Sequence, residues 1–331
     1  IFAAGVTPSR VTTMDFGSFS NAGILADFGD LVEVSWAVAG ASPLNGGLDQ
    51  NLPRTPELFS PTGRPLSSGG GVGDICLFMG GGLFPGTNSS VIDFVQMSTQ
   101  GNAQDFGDTS GARRAGASLG SSTRGVFGGG YTPTSFNVMD YVTFSTKGNG
   151  ADFGNLTSAR YGIGALANDT RGVYAGNGSP KEIIDYITIA SDGNATDFGN
   201  LSATRQAIGG GSSTTRGIFS NGFHHPALVN VIDYITIAST GNATDFGDAS
   251  VSRRSSTAAS SSTRMAIGGG ITPSVSDVID YITISSTGNA TDFGDLSSAR
   301  YEMGAASNDT RAVFSAGITS AAVNNVIDFI T

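Results

Sequence analysis

The chain has 331 residues, of which 13% are charged, and 27 acidic side chains against 17 basic ones give it a formal net charge of −10. That balance argues against a nucleic-acid partner, whose affinity rests on many Lys and Arg contacts to phosphate. A single cysteine, Cys76, excludes an internal disulfide or a thiolate metal cluster, and no apolar run nears the ~20 residues needed to cross a bilayer as a helix.

Taken from the N-terminus, the chain opens at Ile1 on a strand-like segment, and a start at Ile rather than Met is expected of a processed chain or of part of a longer polypeptide. A divergent "TTMDF" follows around Met14, then "ADFGD" with Asp27, then a small-residue stretch ending near Ala41. Residues 41–73 carry Pro43, Pro53, Pro56, Pro61 and Pro65 with no strand period, which predicts a Pro-rich insertion. From Cys76 onward the pattern becomes regular. "VIDF" places Asp93, "VMDY" Asp140, "IIDY" Asp185, "VIDY" Asp233 and Asp280, and a final "VIDF" Asp328, so the step is about 47 residues. A second marker, "DFG", keeps the same step at Asp105, Asp152, Asp197, Asp245 and Asp292.

Each unit reads as four strands. A run of small residues such as "RYGIGALA" from Arg160 is followed by "RGVYAG", an apolar strand ending in glycine, which frees the backbone to leave a sheet. Next comes "IIDYITIA" from Ile183, rich in the β-branched and aromatic residues that favour a pleated surface. "SDGNATDFGNL" then supplies a Gly-Asn turn and a short outer strand. Four strands in this length match one propeller blade. The order of features, with glycine runs at Gly80–Gly82, Gly128–Gly130 and Gly268–Gly270 and outer-strand aromatics at Phe106, Phe153, Phe198, Phe246 and Phe293, resembles the kelch repeat. Phenylalanine stands where that family usually has an outer tryptophan, and the glycine run changes to "FSNG" around Asn221.

The expected fold is therefore an all-β propeller of four-stranded kelch-like blades, forming one domain over residues 1–331. The "GVFGGG"-type second strand recurs near Ile1, Cys76, Val126, Val173, Ile218, Ala266 and Val313, and the "VIDY"-type third strand is equally frequent if Met14 is counted. Inner and outer strands are each one fewer. This predicts seven blades with the two incomplete ones adjacent at the seam; six blades with extra strands donated to a partner is the alternative.

The repeating charges are expected to be frame rather than site. One Asp per blade (Asp93, Asp140, Asp185, Asp233, Asp280) forms a wide ring, unlike the clustered oxygens that calcium requires. Arginines recur in phase at Arg124, Arg171, Arg216, Arg264 and Arg311, which predicts a ladder of Asp–Arg ion pairs stapling blade to blade. A second set, Arg113, Arg160, Arg205, Arg253 and Arg300, falls where the inner strands begin and would suit an anion-attracting ring at the channel mouth. Asn194, Asn242 and Asn289 match a glycosylation acceptor pattern, but turn chemistry accounts for them. His224 and His225 are adjacent, and on extended chain neighbours point to opposite sides, so one metal is not expected to take both. No metal and no cofactor are expected, and no nucleophile stands with a base.

Information lies where the repeats disagree. The loops between second and third strands vary, and Phe84, Tyr131, Phe136, Phe223, His224 and His225 are the candidate binding residues on them. The insertion leaves the opposite face. The wording of the repeat, as in "VIDYITIASTGNATDFGD" from Val231, is similar to repeats of structural proteins of marine tailed phages, cyanophages among them. That resemblance implies a non-enzymatic virion component, in a fibre, tail or capsid surface, that recognises a host glycan or another virion protein. Membrane insertion is not expected, and a homo-oligomer is left open. A secreted or cell-surface adhesion module is the alternative; a carbohydrate-active enzyme would have to draw a carboxylate pair from off-repeat acids such as Glu182, Asp277 and Glu302.

Overall fold

The computed structural model describes residues 15–16, 26–30, 35–36, 39–41, 75–83, 86–97, 102–177, 182–320, 322–323 and 326–331. Among them, six antiparallel sheets stand around an axis. From the axis outward, blade 1 is Ala39–Ala41, Ile75–Leu83, Thr87–Gln96 and Gln104–Asp108, with Ser35–Trp36 on the same edge as its inner strand. Blade 2 is Ala117–Gly120, Arg124–Gly128, Val138–Thr143 and Ala151–Asn155; blade 3 is Gly164–Ala167, Arg171–Ala175, Ile183–Thr188 and Thr196–Asn200. Blade 4 is Gly209–Ser212, Arg216–His224, Ala227–Thr236 and Thr244–Asp248; blade 5 is Thr257–Ser260, Arg264–Gly268, Val278–Thr283 and Thr291–Asp295. Blade 6 takes Gly304–Ser307, Ala312–Ser315 and Val326–Ile330 from the C-terminal end, and its outer strand is Ala26–Asp30 from the N-terminal end.

The ring thus has six blades, not seven. The inner strand of blade 6 packs beside that of blade 1, and blade 1 beside blade 2, so six inner strands close the circle. The N-terminal copies of the third and outer strands do not start a blade of their own. Ala26–Asp30 pairs with Val326–Ile330 on one edge and with Asp15–Phe16 on the other, and Asp27 faces both Asp15 and Asp328. That register repeats the Asp140–Asp152 and Asp185–Asp197 pairings inside blades 2 and 3. The extra strands are absorbed by the chain's own last blade rather than given to a partner. The segment near Ile1 and the Pro-rich insertion, Ala41 apart, lie outside the described residues.

Hydrophobic burial is concentrated between blades. Leu166, Val173 and Ile184 of blade 3 cluster with Phe219 and Ile235 of blade 4, and Cys76, Phe78 and Val95 of blade 1 cluster with Val313, Ile327 and Phe329 of blade 6. Cys76 is buried in that seam, and burial pushes its thiol pKa up.

Polar repeats lock neighbouring blades. The "DFG" glycines Gly107, Gly154, Gly199 and Gly247 sit where the next blade's turn approaches: a Cβ on Gly199 would lie 2.4 Å from the Gly241 carbonyl oxygen. The Gly241 amide donates to the Phe198 carbonyl at 2.8 Å, and Asn242 Oδ1 accepts from the Asn200 amide at 3.1 Å. Asn194 and Asn289 repeat this cap on Asn155 and Asp248, which is what the "NAT" triplets do in the fold.

The aspartates form ion pairs, but with the other arginine set. Arg113 meets Asp140 at 2.8 Å, Arg205 meets Asp233 at 2.7 Å and Arg253 meets Asp280 at 2.8 Å, with Arg160–Asp185 and Arg300–Asp328 equivalent. All five pairs are buried, and burial lowers the pKa of Arg160, Arg205 and Arg253 while the partner carboxylates act the other way. The second carboxylate oxygen of Asp185, Asp233, Asp280 and Asp328 accepts a Thr or Ser hydroxyl, so these carboxylates are engaged on both oxygens, whereas the Nε of each paired arginine is buried with no hydrogen-bond partner among the described residues. Each of these arginines also bridges blades through its backbone: the Gly81 amide donates to the Arg113 carbonyl, and the Gly130 amide to that of Arg160.

Arg124, Arg171, Arg216, Arg264 and Arg311 do not carry the predicted ladder. They lie over Tyr141, Tyr186, Tyr234, Tyr281 and Phe329. Arg124, Arg171, Arg216 and Arg311 donate to Ile189, Ile237, Ile284 and Met97 carbonyls of the following blade. Arg311 thereby ties blade 6 to blade 1. The stapling is real, but its shared acceptors are main-chain oxygens; Arg124 adds an ion pair across the blades, to Asp192 at 2.7 Å, and not to a repeat aspartate. Asp93, on blade 1, has the repeat's third-strand position, and the residue before Trp36 at the arginine position there is Ser35.

Candidate binding site at the channel mouth

The inner strands are made of small residues because six of them converge on one axis. A Cβ on Gly210 would meet the Ala165 carbonyl oxygen at 2.4 Å. At one end of the channel, Ser212, Ser260 and Ser307 tie the strands together: their hydroxyls donate to the carbonyls of Ala167, Ser212 and Ser260 at 2.6, 2.9 and 2.7 Å.

At the other end the chain enters each inner strand from the previous blade, and here the backbone forms a collar. Ala115, Gly162, Ala207, Ser255 and Glu302 have φ of 55°, 59°, 56°, 54° and 55°. Their peptides run head to tail around the axis: the Gly162 amide donates to Ala115 at 2.7 Å, Ala207 to Gly162 at 2.6 Å, Ser255 to Ala207 at 3.0 Å and Glu302 to Ser255 at 3.0 Å. Four of these five are not glycine, and left-handed backbone at such residues costs about 1 kcal/mol or more each. A repeated cost borne at one structural position points to a position worth holding rigid.

The residue before each collar member is where the repeats differ. These residues are Arg114, Tyr161, Gln206, Arg254 and Tyr301, and all five line the channel mouth. In blade 1 the same register position is Trp36, opposite Gly82, as Arg114 is opposite Tyr131. The variable loops clip onto this ring: Tyr131 exchanges backbone hydrogen bonds with Arg114, Phe223 with Gln206, Ile271 with Arg254 and Ile318 with Tyr301. The cavity that opens at this ring continues down the channel to Leu119, Gly211, Ser260 and Ser307, and its whole volume is about 670 Å³, within the ~300–1,000 Å³ usual for small-ligand sites.

Aromatic rings and guanidinium groups share the rim. Tyr131 and Tyr161 pack with centroids 5.2 Å apart, and Arg114 lies 5.4 Å from the Tyr131 centroid. Arg254 lies 5.2 Å from the Phe223 centroid. Asn177 donates from Nδ2 to the Tyr161 carbonyl. Among the described lining residues the charged ones are Arg114, Arg254 and Glu302. Burial raises the Glu302 carboxyl pKa above its ordinary value, with Arg114 and Arg254 acting against that shift; burial and Glu302 together raise the Tyr301 hydroxyl.

Of the six loop residues singled out in the sequence, Tyr131 lines the mouth. Phe223, His224 and His225 sit on the hairpin of blade 4, where Phe223 meets the His225 ring edge-on at 5.8 Å and His224 Nδ1 donates to the Thr204 carbonyl at 2.6 Å. Phe136 is half-buried outside the lining, its backbone bonded to Gly130 and Arg160, and Phe84 lies outside the described residues. The arginines expected to form an anion-attracting ring, Arg113 and its repeats, are buried in their Asp pairs; each instead precedes the residue that lines the rim. Glu302 reaches the cavity, whereas Glu182 and Asp277 do not line it, so the three off-repeat acids are not brought together. No group of three or more His, Cys, Asp and Glu side chains suited to a metal occurs among the described residues. Compared with known proteins, the chain matches no protein-family model and no curated protein sequence.

Proposed function

We propose that the chain is a non-catalytic recognition module of a virion surface, in a fibre, tail or capsid-surface position, and that it binds a host glycan through the mouth of its channel. The observation that carries the recognition reading is the rigid collar presenting a ring of unlike side chains, Arg114, Tyr161, Gln206, Arg254 and Tyr301, above a cavity of about 670 Å³. The buried Arg–Asp frame beneath that ring repeats, whereas the ring and the loops clipped to it vary. Binding sites are commonly built as variable side chains on an invariant support. Tyrosines on the rim suit a sugar, since their faces take the apolar side of a pyranose while amides and guanidinium groups bond its hydroxyls. The similarity of the repeat to phage structural proteins supports the virion placement.

The test is a glycan array probed with the purified chain. Wild type is expected to retain a restricted set of glycans, and Tyr131→Ala and Tyr161→Ala each to lose at least about tenfold in signal. Ser191→Ala, on the opposite face, should be unchanged. Equal retention by all three variants would place recognition elsewhere. An antibody against the chain should also label intact particles; labelling confined to disrupted particles would refute the surface position.

A further inference from the structure

We infer that the saccharide taken at the mouth is an acidic one, held as an extended chain between the hairpins of blades 1 and 4 with its anionic group at Arg114 and Arg254; this rests on the glycan-recognition reading above. The first support is charge. In a molecule of net charge −10, the described rim carries two guanidinium groups and one carboxyl. Glu302 offsets one of the two, which leaves the described rim with a net positive charge. A surplus of positive charge in a concave site walled by protein attracts an anion more strongly than the same charges on an open surface.

The second support is how the guanidinium groups are held. Arg114 lies against Tyr131 and Arg254 against Phe223, which fixes planar groups in place and reduces the rotamer entropy lost when a carboxylate or sulfate is bound. Bidentate pairing to a planar carboxylate is the geometry such a group serves best. The third support is aromatic exposure. Tyr161 is 38% exposed, one of two large apolar side chains so exposed among the described residues, and it stands on the rim beside Tyr131. An exposed ring next to a fixed cation suits a ligand with both an apolar face and a charge.

Ring geometry supplies the direction. The second strands of blades 1 and 4 have nine residues each, against five in blades 2, 3 and 5. In a six-membered ring blades 1 and 4 face each other, so their longer hairpins flank the mouth on opposite sides. Across the mouth between them, blades 2 and 3 carry Arg114, Tyr131 and Tyr161, and blades 5 and 6 carry Arg254, Tyr301 and Glu302. A linear polymer crossing the mouth in that direction meets an arginine on each side. This geometry fits a chain of charged sugars better than a single compact ligand.

The experiment compares alginate, a polyuronate, with the same polymer after chemical reduction of its carboxyl groups, and with dextran as a neutral polymer. Wild-type protein is expected to retain alginate, to bind the reduced polymer and dextran at least about tenfold more weakly, and to lose alginate progressively as salt is raised. Arg114→Gln and Arg254→Gln should each reduce the preference for alginate over its reduced form by fivefold or more, with the melting temperature checked to exclude unfolding. Retention of the reduced polymer within twofold of alginate would overturn the inference while leaving glycan recognition standing. Failure to retain any of the three polymers would also overturn it, and the array with the Tyr131 and Tyr161 variants then decides the broader reading separately.

Discussion

Gly241 belongs to a Gly-Asn turn and Gly199 to a short outer strand, and their surroundings assign them different burdens. Both have strongly positive φ, 147° and 157°, in a region that side chains other than glycine avoid. A Cβ at 241 meets nothing within 4 Å, whereas a Cβ at 199 strikes the main chain of the next blade at 2.4 Å. Gly199→Ala is therefore expected to cost about 1–3 kcal/mol more than Gly241→Ala, the additional amount being typical of overpacking. Urea midpoints of the two variants check this, and equal midpoints would mean that the blade contact yields freely. The arginines teach a related lesson. That the aspartates are structural was legible in their periodicity, but two arginine sets share that period, and spacing alone does not reveal which one folds onto them. Arg113 reaches Asp140 because the linker from blade 1 crosses the top of blade 2, a path that exists only in three dimensions. The rim was missed for a similar reason: Arg114, Tyr161 and Gln206 follow a repeated arginine so closely that they read as part of the repeat.

Strand identity was largely legible, because β-branched runs, glycine ends and Gly-Asn turns recur at fixed offsets. Blade number was not, since a copy of a strand in the sequence need not be a strand of a separate blade. Inner strands decide the number, because only they line the axis and close the ring, and they were counted at six. The N-terminal "DFG" strand, Ala26–Asp30, completes blade 6, so the ring is joined by a segment some 300 residues away from its neighbour in sequence. Deleting residues 1–30 is expected to leave the Val326–Ile330 edge unpaired. An exposed, apolar strand edge templates pairing with other chains. The shortened protein should associate in light scattering, and a peptide spanning residues 22–32 should return it to the wild-type state; a monodisperse shortened protein of wild-type size would contradict this closure. At the end of the second strand the left-handed conformation persists without glycine: Asn221 has φ 59° and Ala316 has φ 58°, taking the place that Gly129 and Gly269 hold in blades 2 and 5.

At the scale of the whole molecule, ordering and recognition are divided between the two kinds of residue. What repeats binds blade to blade: buried Arg–Asp pairs, Arg–Tyr stacks and glycine contacts. What varies is gathered at one end of the axis by a collar of left-handed residues. The central claim, that this end is where the molecule recognises its partner, is tested most directly by hydrogen–deuterium exchange with and without alginate. The account predicts slower exchange in segments 114–118, 131–136, 161–165, 254–258 and 301–305, all at or beside the mouth, and no change in the turns 145–150, 190–195, 238–243 and 285–290 of the opposite face. Protection of those turns in place of the mouth would contradict it.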